Sequence, residues 1–431
     1  MRPPAVGFAG LTHLGLVSAA AAASTGAPVV GWDPDAGRVD AIAGGRLPVA
    51  EPGLEALLDA HGARLAWSRD AAALARCDII YIAADVPTDG TGASDLREIA
   101  GLIAAVIAAA PAVRALVVLS QVPPGFTRAV PFASDRLFCQ VETLVFGRAV
   151  ERATRPERFI VGMAEPRSAL PEPYALFLRE FGCPIVQVRY ESAELAKIAI
   201  NCYLAASVTV TNMLAELSER IGADWQEIVP ALRLDRRIGP DAYVVPGLGL
   251  SGGNIERDLA TVLGLAGAAG AEAAPIRAML RSSERRSDWA LRMLHAGVLA
   301  ARPDAVIGIL GLAYKQNTRS TKNSPALALL RHLTPWRVRV YDPVVPAAEV
   351  EHPRAVAAPS ALAAAAGADA VAIMTPWPEF RDLSAPALAA VMAGRTVLDP
   401  YGVLDPGAAA AAGLEYSTLG APPAPAAERR P

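Results

Sequence analysis

The sequence predicts an α/β protein in which two doubly wound sheets are joined by a central helical domain containing one long helix. Three observations lead there. From Ala5 to about Val188, short apolar strands alternate with helical stretches, the rhythm of a parallel sheet covered by helices. The same rhythm returns over Arg302–Asp399. Between the two, Glu191–Asp224 places apolar residues at Leu195, Ile198, Ala199, Cys202, Tyr203, Ala206, Val210, Met213, Leu214, Leu217 and Ile221, a helical spacing and not a strand alternation.

The first region opens with a strand at Ala5–Ala9, a turn at Gly10–Gly15 and a small-residue helix at Leu16–Ser24. That reading displaces a secretory signal, although Arg2 precedes the segment and alanines end it. Further strands are expected at Val29–Trp32, Ile79–Ala83, Leu116–Ser120, Phe159–Val161 and Ile185–Val188. Gly101–Leu119 is apolar, yet Pro111 and Arg114 divide it into helix and strand and leave no membrane span. The long helix meets no proline and stops at Gly222; roughly thirty residues at 1.5 Å each span about 45 Å. A second helical stretch follows over Asp224–Leu299, interrupted by Arg236–Asn254. Glycines 239, 247, 249, 252 and 253 in that loop free backbone N–H groups for a ligand, or make a flexible connector. The last region carries strands at Val306–Leu310, Val338–Tyr341, Ala370–Met374 and Thr396–Leu398, and the Pro- and Ala-rich tail Ala421–Pro431 is expected to be disordered. The division expected is therefore 1–190, 191–300 and 301–420, with 421–431 as the tail.

Composition narrows the function. A chain of 431 residues is too long for one core and suits two or three domains. The hydrophobic content of 53% is inflated by alanine runs such as Ala19–Ala23 and Ala408–Ala412 and does not imply a membrane protein. A formal charge of -3 without long Lys/Arg blocks argues against nucleic-acid or anionic-lipid binding. Cys77, Cys139, Cys183 and Cys202 show no Cys-x-x-Cys spacing, and His13, His61, His295, His332 and His352 form no metal or triad grouping, so neither a disulfide framework nor a metal site is expected. A cytoplasmic enzyme or binding protein is the default reading.

Two stretches carry chemistry. Gly10-Leu11-Thr12-His13-Leu14-Gly15 keeps the first and third glycines of a dinucleotide fingerprint, with Thr12 where the middle glycine lets backbone approach a pyrophosphate. Thr12 is expected to crowd or displace that ligand. Asp33, about twenty residues on, is placed to bind a ribose diol and favour NAD over NADP, or to cap a helix before Pro34. Near the start of the long helix, Lys197 and Asn201 lie four residues apart and project an ammonium and a carboxamide from one face. Alone, they read better as solvated helix residues than as a site.

Taken together, the motifs resemble the UDP-glucose/GDP-mannose dehydrogenase family over nearly the whole chain. Gly31-Trp32-Asp33, Glu51-Pro52-Gly53-Leu54 and Ser120-Gln121-Val122-Pro123-Pro124-Gly125 resemble its first domain. Glu194-Leu195-Ala196-Lys197-Ile198-Ala199-Ile200-Asn201 resembles its central helix, and Asp235-Arg236-Arg237-Ile238-Gly239 with Pro246-Gly247-Leu248-Gly249 its substrate loop. Gly311-Leu312-Ala313-Tyr314-Lys315, Ser324-Pro325 and Tyr341-Asp342-Pro343 are similar to its nucleotide-sugar domain. The resemblance implies two Rossmann-like domains, NAD as cofactor, a nucleotide-sugar partner, a role in polysaccharide biosynthesis and a homodimer paired through the central helix. Family members oxidise the sugar C6 hydroxyl twice, through an aldehyde held on a cysteine as a thiohemiacetal.

The resemblance also assigns roles. Lys197 and Asn201 would stabilise the developing alkoxide, Asp258 would accept the hydroxyl proton through a water, and Glu142 would order that water. Gly10, Thr12, His13, Leu14, Gly15, Asp33, Arg38, Val86, Gln121 and Lys322 fall at cofactor positions; Arg237, Tyr243, Gly247, Gly249, Gly252 and Lys315 fall at substrate positions. The departures are specific. Aligned on Asp258, the loop Ser251-Gly252-Gly253-Asn254-Ile255-Glu256-Arg257-Asp258 puts Asn254 in place of the nucleophilic cysteine, and a carboxamide cannot act as a thiolate. Cys202 lies about 100° further round the helix than Asn201 and is not placed to substitute. Val86 and Gln121 replace threonines, Phe146 a glutamate, and Lys322 and Tyr401 arginines; Lys322 keeps the charge but loses the planar fork. The expected activity is NAD-dependent oxidation of a UDP-glucose-like primary alcohol that stops at the aldehyde or is slow in its second step. The alternatives are a non-catalytic nucleotide-sugar-binding paralogue and an oxidoreductase recruited to another alcohol.

Overall fold

The structure is a computed structural model that describes residues 2–87, 94–250 and 254–422, without the side chain of Asn254. Gly252 and the tail beyond 422 lie outside the described residues. The chain forms two compact units, Met1–Ile200 and Asn201–Pro431.

In the first unit the order is β1 (Val6–Ala9), α1 (His13–Ser24), β2 (Val29–Trp32), α2 (Ala36–Ala43), α3 (Leu54–His61), β3 (Leu65–Ser68) and β4 (Ile79–Ile82). It continues with α4 (Arg97–Ala109), β5 (Ala115–Val118), β6 (Leu137–Gln140), α5 (Ala149–Thr154), β7 (Phe159–Met163), α6 (Glu172–Arg179) and β8 (Ile185–Arg189). The eight strands form one sheet in the order β3-β2-β1-β4-β5-β6-β7-β8. Strand alternation divides the core: Ile79 and Tyr81 of β4 enter the cluster of Phe8, Tyr174 and Phe177, while Ile80 and Ile82 enter that of Leu102, Val106 and Tyr190. Helix α1 is buried on nearly every side, which its alanines permit because they let the sheet and neighbouring helices approach closely.

Not every pairing is parallel. β6 and β7 run antiparallel, with Cys139 opposite Gly162. The six-residue α5 between them is about 9 Å long, too short to return the chain along the full height of the sheet. The sequence reading did not place β3 or β6; β3 is only half-buried at the sheet edge.

The long helix, α7 (Tyr190–Ile221), ends at Gly222 in the left-handed region, φ 80°. By length and composition alone it is apolar enough to cross a membrane. Its residues Tyr203, Val210, Met213, Leu217 and Ile221 are exposed, from 49% at Leu217 to 80% at Tyr203, and recur at helical spacing along one stripe. The second unit continues with α8 (Trp225–Leu234), capped by Asp224 accepting from Gln226 N at 2.7 Å, then α9 (Asn254–Ala269), α10 (Ala274–Ser287) and α11 (Trp289–Leu294). Its sheet follows from β9 (Val306–Leu310), α12 (Pro325–His332), β10 (Arg337–Tyr341), β11 (Ala355–Ala357), α13 (Ala361–Ala365), β12 (Ala370–Ile373), α14 (Ala385–Val391), β13 (Thr396–Leu398), α15 (Pro406–Ala411) and β14 (Glu415–Ser417). All six strands are parallel, in the order β11-β10-β9-β12-β13-β14. β11 and β14 are three-residue edge strands with exposed positions, which is why the sequence did not signal them.

Candidate active site

The turn after β1 is built on close backbone approach. Gly10 adopts φ 94° and donates its N–H to Trp32 O at 2.9 Å. A Cβ on Gly15 would lie 1.8 Å from Gly10 O and 2.7 Å from Ala83 O, so only glycine fits. Thr12 Oγ1 accepts from Asp85 N at 2.8 Å. Leu14 N donates to Asp85 Oδ2 at 3.3 Å. His13, the first residue of α1, is buried, pairs through Nε2 with Glu51 Oε2 at 3.0 Å and stacks on Phe146 with ring centroids 4.3 Å apart. Glu51 also accepts from Gly147 N at 3.1 Å and Ala149 N at 2.8 Å, so one buried carboxylate joins the turn to the segment after β6.

Asp33 is fully buried at the end of β2. Its Oδ2 accepts from Leu11 N and from Arg38 Nη1, both at 2.7 Å, and its Oδ1 accepts from Asp35 N at 2.9 Å. The helix cap is Asp35, which accepts from Gly37 N and Arg38 N, because α2 starts two residues later than a cap at Asp33 would require. Asp33 thus fixes the glycine turn and holds Arg38 beside it. The second unit repeats the device: Asp342, after β10, accepts from Leu312 N at 2.6 Å, Ala313 N at 3.1 Å and Trp377 Nε1 at 2.9 Å.

Also in the first unit, Lys197 Nζ lies 3.3 Å from Glu142 Oε2, with side chains 17% and 16% exposed. Burial pushes the Glu142 carboxyl above its ordinary value, and the Lys197 ammonium opposes that shift. Gln121, Glu194, Glu142 and Lys197 line one small cavity. Glu194, one turn before Lys197, accepts from Gly125 N at 2.6 Å and Thr127 N at 2.8 Å and so ties the start of α7 to the loop that carries Gln121. Val86 packs on the core cluster behind that loop.

In the second unit, Asn201 Nδ2 donates to Asp258 Oδ2 at 2.5 Å, and Arg257 Nε to Asp258 Oδ1 at 3.2 Å. Asp258 is 1% exposed, and Arg257 is also buried. Asn254 opens α9 about one turn earlier than Asp258, its side chain outside the described residues. Burial pushes the Cys202 thiol up, and Asp258 adds to that, a direction that disfavours the thiolate. Asn323 donates to Glu256, whose carboxyl is raised by burial and lowered by Asn323 and Lys322; Lys322 is itself exposed. Gly247 N donates to Asn212 Oδ1 at 2.8 Å, Gly249 lies tight against Ser283, and the Tyr243 carbonyl accepts from Ser207 and Thr211. Arg237 pairs with Asp235 and is 89% exposed. Lys315 Nζ lies 5.6 Å from the Tyr314 ring centroid. Among the described residues no group of three or more His, Cys, Asp or Glu side chains is placed to hold a metal.

Sequence reading missed Asp85, Arg257 and the functions of Glu51 and Glu194. Glu51 and Glu194 stood inside quoted motifs, and Arg257 stands next to Asp258; Asp85 carried no local signal.

Comparison with known proteins follows the same divisions. Residues 5–177 match the NAD binding domain of the UDP-glucose/GDP-mannose dehydrogenase family, 191–285 its central domain and 308–406 its UDP binding domain. A UDP-glucose 6-dehydrogenase of Rhizobium meliloti is 30% identical over 96% of this chain and 98% of its own. The chain belongs to the UDP-glucose/GDP-mannose dehydrogenase family. It is therefore an NAD-dependent oxidoreductase of the nucleotide-sugar dehydrogenase type. A UDP-glucose dehydrogenase from Pyrobaculum islandicum superposes with a TM-score of 0.83 at 28% identity, covering 93% of this chain and 95% of the other. A UDP-D-ManNAc dehydrogenase from Pyrococcus horikoshii, 23% identical over 97% and 99%, shares the fold with a TM-score of 0.81. The turn fits the family cofactor: Gly15 lets the start of α1 pack directly on the Gly10 and Ala83 backbone, which brings the first N–H groups of the helix to the end of β1, and Asp33 stands at the end of β2.

Proposed function

We propose that this chain oxidises the primary alcohol of a UDP-glucose-like nucleotide-sugar and stops at the aldehyde, or proceeds slowly beyond it. The observation that carries the reading is the contact of Asn201 with the buried Asp258, beside a sequence that places Asn254 where the family has its nucleophile. Lys197 and Asn201, one turn apart on α7, would donate to the sugar oxygen as it gains negative charge. Asp258 would take the hydroxyl proton through a water that Glu142 orders. Gly10, Thr12, His13, Leu14, Gly15, Asp33, Arg38, Val86 and Gln121 would hold NAD, which supplies the hydride acceptor when bound, with Lys322 as a further contact. Arg237, Tyr243, Gly247, Gly249, Gly252 and Lys315 would hold the nucleotide-sugar. The names of the relatives favour a UDP-sugar. The three-part division at 190 and 300 is retained, supported by the boundaries of the family matches.

The exposed stripe on α7 supports a homodimer, since Tyr203, Met213 and Leu217 present an apolar face at helical spacing and a second copy of the helix covers it without a membrane. A cytoplasmic location goes with that reading. Light scattering that returns a monomer would remove the dimer.

Incubation with NAD and a panel of UDP- and GDP-sugars, with an aldehyde trap and mass spectrometry, tests the activity. One NADH per sugar and a trapped aldehyde are expected. Rapid release of two NADH per sugar would refute the single-step reading, and UDP-sugar binding without turnover of any sugar would favour the non-catalytic paralogue.

A further inference from the structure

We propose that Asp85 sets the affinity of this chain for its dinucleotide by filling the anion seat at the N-terminus of α1 with its own carboxylate. The topology makes the contact possible. β4 lies beside β1 in the sheet, so the segment leaving β4 runs next to the turn leaving β1. Leu14 N donates to Asp85 Oδ2 at 3.3 Å, and Asp85 N donates to Thr12 Oγ1 at 2.8 Å. The two bonds run in opposite directions and pin the acid against the turn. Thr12 is the residue that replaces the middle glycine of the fingerprint. The substitution that adds a side chain to the turn is thus the one that holds the backbone of Asp85 beside it, within reach of Leu14 N for the carboxylate.

The first N–H groups of a helix have no partner within it and attract anions, which is why a pyrophosphate binds at such a place. Here one of those groups is already engaged by a negative charge. The charge is not neutralised nearby: no Lys or Arg pairs with Asp85 among the described residues, and the cations around it are committed elsewhere. Arg38 is held by Asp33 at 2.7 Å and Lys197 by Glu142 at 3.3 Å. Glu98 and Glu142 both feel Asp85 as a like charge, after the larger effect of their own burial. An incoming pyrophosphate therefore has to displace Asp85 or accept its repulsion. Because Asp85 is exposed, it can swing away, and the effect is a tax on affinity and not a block.

Calorimetric titration of NAD into the wild type and Asp85→Asn tests this, with Asp85→Ser as the second variant should the first unfold. Asparagine keeps the size and the acceptor and removes the charge. NAD is expected to bind about tenfold more tightly to the variant. Adenosine, which has no phosphate, is expected to bind both forms equally. A gain in NAD affinity below about threefold, a loss of affinity, or an equal gain for adenosine would overturn the proposal. The readout is binding alone, so it stands apart from whether any sugar is oxidised.

Discussion

Replacing Lys197 by methionine isolates its ion pair with Glu142. The stem of the side chain stays; the charge 3.3 Å from Glu142 Oε2 goes. At that distance and an effective dielectric of about 20, the lost attraction is about 5 kcal/mol at most. Partial exposure of both groups reduces it, and an opposite charge this close moves a carboxyl by about 1 to 3 on the pH scale, or about 1.4 to 4 kcal/mol. The sign follows from linkage. Burial already holds the Glu142 carboxyl above its ordinary value, with Lys197 the main opposing influence. A carboxyl raised in the native state supports folding fully below its unfolded pKa and withdraws that support as pH rises through the native value. Lys197→Met raises the native value further, so the variant loses more on the alkaline side. Urea unfolding of both proteins is expected to show a small difference at about pH 5 that grows by about 1.4 to 4 kcal/mol by about pH 8. An equal loss at both pH values, or a larger loss in acid, would show that Glu142 does not depend on Lys197.

Three further outcomes are expected. Gly15→Ala places a methyl 1.8 Å from Gly10 O; backbone cannot yield as a side chain does, so calorimetry should find no NAD binding and thermal melts a loss of about 1 to 3 kcal/mol. Asn201→Leu removes the donor to buried Asp258 Oδ2 and should lower turnover by about 10² to 10³ while the Kd for NAD holds; a fall of less than tenfold would end its assigned role. Asn254→Cys restores a thiol at the family position and should add a second NADH per sugar in the coupled assay. Iodoacetamide should then abolish that second step alone.

Local pattern made much of the molecule legible. The strands at Val29–Trp32 and Val306–Leu310 and the helix at Tyr190–Ile221 were readable because a few residues of one pattern, closed by a proline or a glycine, determine their own backbone. The weak cases were β3, β6, β11 and β14, which are three or four residues long and mostly at edges, where neighbours in space supply the pairing. The antiparallel step between β6 and β7 depends on how the chain returns, which periodicity does not encode.

The site divides along the same line. Lys197 and Asn201 on one helix face, the spaced glycines of the first turn and the Asn254 substitution belong to the sequence, because each depends only on neighbours along the chain. The pairing of Lys197 with Glu142, 55 residues apart, of Asn201 with Asp258, 57 apart, and of Leu14 with Asp85, 71 apart, was decided only by the tertiary structure. Strand order and helix packing choose which distant groups meet, and a charge placed by that choice acts on its neighbour at 3 Å with a strength that no spacing along the chain can reveal.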